Sequence, residues 1–97
     1  MIIYKYRITV GGYADHEVPR DSEVLAAGWQ DGWLVVWVLH HTLPSDDNKN
    51  TRLRFSDVMT GHQFDQVGAQ HVATLQDRLG IVHHVFYERL APRGERR

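Results

Sequence analysis

The chain predicts an all-β fold: a small antiparallel β-sandwich or partly open barrel of six to seven strands. Three observations lead there. Residues 24–39 hold two apolar runs joined at Gln30-Asp31-Gly32-Trp33, and an Asp-Gly pair in that setting marks a two-residue hairpin turn. Residues 2–10, with Ile3 the one exception, and residues 51–56 alternate apolar with polar, the period of a half-buried strand. Ile81-Val82-His83-His84-Val85-Phe86-Tyr87 is a β-branched and aromatic run.

In order along the chain, Ile2, Tyr4, Tyr6, Ile8 and Val10 form the apolar series of the first strand, with Lys5, Arg7 and Thr9 opposite. Gly11-Gly12 ends it. His16-Glu17-Val18-Pro19 reads as an extended piece, and its proline suits a sheet edge. Within the hairpin, the turn sets a register that puts Leu25, Ala27, Trp29, Leu34, Val36 and Val38 on one face. Trp33, Val35 and Trp37 then share the other, opposite Gln30, Gly28 and Ala26.

Residues 41–50 are polar, contain Pro44 and read as a mobile loop. Leu53 and Phe55 point inward from the next strand, which Thr60-Gly61-His62 closes. Val67, His71, Leu75 and Leu79 recur every four residues, a helical spacing, yet Gly68 interrupts them and residues 71–75 also suit a strand. The preferred reading is a loop, with at most one short helix near residues 64–70, followed by a strand. Residues 1–91 form a single domain in this reading, and 92–97 a disordered charged tail.

Composition narrows the function classes. A chain of 97 residues has room for one core, and a net charge of −1 gives no electrostatic basis for nucleic-acid binding. There is no cysteine, so disulfides and thiolate metal sites drop out. No apolar stretch approaches the roughly 18 residues of a membrane-spanning helix, and no signal peptide is evident at the start. A cytoplasmic protein is expected.

Seven histidines are the obvious candidates for chemistry. His83 and His84 are strand neighbours and face opposite sides, so they cannot serve one compact site. A metal centre would need ligands converging from several strands, such as His62, His84 and Asp57, and nothing in the spacing resembles a compact ligand motif. The ordinary reading makes His84 a half-buried, hydrogen-bonded side chain and leaves the other histidines solvated. No nucleophile elbow surrounds Ser22, Ser45 or Ser56, and no phosphate-cradling glycine loop is present. No cofactor or metal is expected, and no enzymatic activity.

Binding is the better expectation, with Trp33, Trp37, His62, His84, Arg52 and Arg54 as the candidate residues. Trp33 and Trp37 lie over small residues, which favours a packed interior; a homo-oligomer interface is the alternative. Arg52 and Arg54 put two positive charges on one strand face, either a basic stripe or an ordinary solvated surface.

Several segments taken together resemble a family of small proteins encoded by bacteriophages, notably those of actinobacteria, known as a domain of unknown function. They are Ile3-Tyr4-Lys5-Tyr6, Val18-Pro19, Val24-Leu25, Trp37, Thr60-Gly61-His62, Ala73-Thr74-Leu75 and His84-Val85-Phe86-Tyr87-Glu88. The Pro44 loop and the arginine-rich tail stand apart from the resemblance. It carries no catalytic residues, but it implies a setting: an accessory protein in the infected host cytoplasm. The expected function is a non-enzymatic interaction module whose partners are itself and a host or phage protein, with no membrane or nucleic acid involved. Sequestration of a small nucleotide-like molecule is one alternative, and a minor structural role in the virion is the other.

Overall fold

The computed structural model describes residues 1–42, 50–65 and 67–90. Seven strands follow one another: β1 (Ile2–Arg7), β2 (Tyr13–Pro19), β3 (Glu23–Gln30), β4 (Trp33–His40), β5 (Asn50–Met59), β6 (Gln70–Gln76) and β7 (Val82–Leu90). They build two antiparallel sheets, one ordered β1-β4-β3 and the other β2-β5-β7-β6. The described part is 16 Å thick along its shortest axis, two sheets deep. This is the all-β, sandwich-like fold expected, with no helix among the described residues and so none to cross a membrane.

Period-two patterning puts one face of each sheet inside. Leu34, Val36 and Val38 of β4 meet Leu53 and Phe55 of β5 and Val85 of β7, with Ile8 and Val18 completing the buried cluster. Tyr6, Ala27, Trp29 and Tyr87 pack around it. Fully burying an aliphatic or aromatic side chain stabilises by about 1.5–3 kcal/mol, so these residues supply the main driving force. Pro19 lies in β2, an edge strand, where a missing amide donor does least harm.

The hairpin turn has the conformation its sequence demands. Asp31 (φ 52°) and Gly32 (φ 83°) both occupy the left-handed region, as a turn matching the strand twist requires. The pairs Gln30–Trp33, Gly28–Val35 and Ala26–Trp37 follow the predicted register. Leu25 departs from it. A bulge between Val24 and Ala26 makes Leu25 the extra residue, so Val24 takes the position opposite Val38 and packs on the core. Leu25 is left exposed.

The spacing of Val67, His71, Leu75 and Leu79 does not form a helix. Residues 70–76 pair with β7 as a strand, bulged between His71 and Ala73, while Val67 and Leu79 lie exposed. Pairing with β7 and inward packing of Val72 and Leu75 outweigh a spacing that Gly68 already weakens. The mobility expected for the Pro44 loop and the disorder expected for residues 92–97 fall outside the described residues, apart from the loop's ends.

Candidate functional site

Two places stand out: the outer face of the three-stranded sheet, and a charged cluster between the sheets at the end where the β3–β4 and β6–β7 turns lie. The first carries Trp33 and Trp37. Their side of β4 alternates with the core side of Leu34, Val36 and Val38, so neither tryptophan enters the core, contrary to the favoured sequence reading. The physical reason is register. A strand buries every second residue against the opposite sheet, and that place is filled by the aliphatic series.

This outer face is organised by flat-lying side chains. The Arg7 guanidinium sits 3.8 Å from the centre of a Trp33 ring, a cation–π contact. Trp37 lies across Gly28, where an added Cβ would stand 3.4 Å from Trp37 Cζ3. Lys5 donates to the Gln30 side-chain oxygen from the other edge strand. Beneath this layer Val35 is only 1% exposed although, among the described residues, no second sheet covers it. Trp33 remains 51% exposed, with Ile3 and Leu25 also open to solvent.

The charged cluster centres on His83, 1% exposed on the inner side of β7. Its Nδ1 lies 2.8 Å from Asp57 Oδ2 and its Nε2 lies 2.9 Å from Asp77 Oδ2. Asp57 comes from β5, and its Oδ2 also accepts the Gly11 amide at 2.8 Å. Asp77 opens the β6–β7 turn, where its Oδ1 accepts the amides of Leu79 and Ile81. Trp29 of β3 meets the His83 ring edge to face, with centroids 5.1 Å apart.

Burial pulls the pKa of His83 down, but hydrogen bonds to Asp77 and Asp57 and their negative charges outweigh it and leave it raised. The same bond from His83, helped by the Ile81 and Leu79 amides and the His83 charge, holds Asp77 below the usual carboxylate range against desolvation. With a carboxylate on each ring nitrogen, neither nitrogen of His83 is free to take a proton from a substrate.

His83 and His40 therefore correct the expectation that every histidine but His84 is solvated. His40, 2% exposed at the far end of β4, lies 2.9 Å through Nε2 from the Tyr6 hydroxyl. Burial keeps its pKa low, against the charge of Asp21. His84 itself matches the reading: half-buried, bonded to Thr60 at 2.8 Å and to Thr74 at 3.2 Å.

The other candidates are spread out. His62 is exposed in the turn after β5, and its amide closes that turn onto the Met59 carbonyl. His84 faces outward while Asp57 faces inward, and among the described residues no three histidine or carboxylate side chains are arranged to hold a metal ion. Arg52 and Arg54 lie on the outer face of the four-stranded sheet, across the molecule from the tryptophans. They do not make a basic stripe. Arg54 forms a two-pronged bridge to Asp15 at 2.8 and 3.0 Å and covers Tyr13, while Glu88 stands opposite in register; Arg52 pairs in register with Glu17.

Sequence reasoning missed the role of Asp57 and Asp77. A signal for Asp57 was present: it continues the inward series of Leu53 and Phe55, and a carboxylate at a core position calls for a partner.

Fold and site together define a small two-sheet β domain with a buried Asp–His–Asp cluster inside, in which Asp57 Oδ1 alone lacks a hydrogen-bond partner, and an aromatic outer face that no other described strand covers. The chain belongs to the DUF7352 family, a domain of unknown function, whose model matches residues 1–95. That match takes in the Pro44 loop and most of the tail, which the sequence reading had set apart. No curated protein and no solved structure matches the chain.

Proposed function

We propose that this protein is a non-enzymatic binding module whose working surface is the outer face of β1-β4-β3, and that a second copy of the chain occupies that face. The observation that carries the reading is Trp33, half exposed on the outer face of a sheet whose other side is already packed, with Ile3 exposed toward the opposite end of the same sheet. Charge supports self-association. Lys5 and Arg7 lie along the β1 edge and Glu23, which His41 meets at 2.8 Å, along the β3 edge, so a twofold axis parallel to β4 brings the basic edge of one copy over the edge that carries Glu23 in the other. The non-enzymatic part rests on His83, whose two nitrogens are both engaged by carboxylates.

The setting we infer is that of a bacteriophage accessory protein in the infected host cytoplasm, on the resemblance of the segments quoted above. In that setting the dimer presents its remaining surfaces to a host or phage protein. A native mass spectrum tests the central part. The expected result is a dimer for the wild type and a folded monomer for Trp33→Ala with Trp37→Ala; a wild-type monomer at every concentration overturns it.

A groove of about 710 Å³ favours a second reading, the sequestration of a small molecule. Trp29, Leu79 and Val10 give it apolar walls, and Arg78 with Gln76 supplies polar groups. It predicts a thermal shift with one member of a nucleotide panel, abolished by Trp29→Ala.

A further inference from the structure

We propose that the Asp57–His83–Asp77 bridge is a proton-operated latch on the turn formed by residues 77–80, clamping it while His83 carries both ring protons and releasing it when one is lost. The inference starts from how unequally the two carboxylates are held. The Asp57 side chain is fully buried, anchored by the Gly11 amide, and its own backbone amide donates to the Gly12 carbonyl at 2.8 Å. Asp77 is 23% exposed and belongs to a tight turn. Its backbone amide donates to the Ile81 carbonyl, and its side chain caps the Leu79 and Ile81 amides.

Loss of one proton leaves a ring with a single donor between two carboxylates, so one carboxylate faces a nitrogen lone pair. Both act on each other across a buried ring, and the net charge of the trio goes from −1 to −2. Asp57 has no route to water. Asp77 has one, so the remaining proton stays on Nδ1 toward Asp57 and the turn swings outward.

The surroundings leave these two acids as the controlling charges. β5 contributes Asp57, the β6–β7 turn contributes Asp77, the β1–β2 bend contributes only the Gly11 amide, and β3 contributes uncharged Trp29. Arg78, the neighbouring charge in the turn, is exposed. The moving part also has a neighbour to affect: Asp77, Arg78 and Leu79 form one wall of the Trp29 groove, so release of the turn reshapes that groove.

The test is NMR on the intact chain from pH 5 to pH 10, following the His83 ring nitrogens together with amide exchange at Leu79 and Ile81. The latch predicts that His83 is doubly protonated at neutral pH. It also predicts that protection of these two amides collapses as the ring titrates, beyond the tenfold rise per pH unit of base-catalysed exchange. Asp77→Asn, a change in a partly exposed turn, should leave the fold intact, move the His83 titration downward and remove the coupled loss of protection. A ring already singly protonated at neutral pH, a titration that leaves the two amides protected, or coupling that survives in Asp77→Asn would each overturn the proposal.

Discussion

Trp29 and Trp33 sit on the same hairpin, only four positions apart, yet on opposite faces of the three-stranded sheet. Trp29 packs inward, its ring against His83, and helps keep water from a charged pair. Trp33 lies outward under a guanidinium and keeps half its surface open. The two-residue turn decides which is which, because a slip of one position would exchange every inward and outward side chain. An indole inside is there for stability; an indole outside, on a sheet whose core face is already filled, is available for contact.

The largest expected effect comes from the inner face. Asp57→Ala leaves the His83 charge with one partner and the Gly11 amide with none, and should cost about 3–5 kcal/mol in a urea melt. Trp29→Ala follows, at about 3 kcal/mol by the same measurement, since it removes a large half-buried ring and opens the cluster to water. Equal tolerance of Trp29→Ala and Trp33→Ala in stability would break the comparison.

Acid and base should act on the inner face next. The folded-state pKa of His83 is raised, so its stabilisation is complete below the unfolded value of about 6.5 and is lost as pH rises through the folded value. That of Asp77 is lowered, so its stabilisation is present above the unfolded value near 3.8 and is lost as pH falls through the folded value. His40, held neutral by burial, has a lowered pKa and adds a separate loss as pH falls below about 6.5. Melting temperatures across pH should show an alkaline decline that disappears in His83→Gln, while the His40 limb persists.

The outer face should respond weakly in stability and strongly in association. Trp33→Ala is expected to change the urea midpoint by less than about 1 kcal/mol while abolishing the dimer, read by sedimentation velocity. Smallest of all, Arg54→Ala on the far sheet removes one surface bridge and should cost at most about 1 kcal/mol, less in high salt.

Much of this architecture is legible in the chain because strands write themselves with period two. The Asp31-Gly32 turn, the inward Leu53 and Phe55, and the opposite facing of His83 and His84 follow from neighbouring residues alone. Leu25 does not, because a bulge is a compromise between two strands and leaves no mark in either. Val67, His71, Leu75 and Leu79 mislead because a four-residue spacing also fits a turn, a bulged strand and a second turn. Of the site, the tryptophan pair is legible as a pair, but its side is decided by which series the other sheet covers. The His83 cluster draws its three members from β5, β7 and the β6–β7 turn, and only the sheet order β5-β7-β6 brings them together.

The most direct test of the outward face uses 5-fluorotryptophan, because the chain has three tryptophans and each reports on its own surroundings. Fluorine NMR spectra over a dilution series should show the Trp33 and Trp37 signals moving with concentration while that of Trp29 stays fixed. Three signals indifferent to concentration, or a moving Trp29 beside fixed Trp33 and Trp37, would contradict the assignment of this face as the site of self-association.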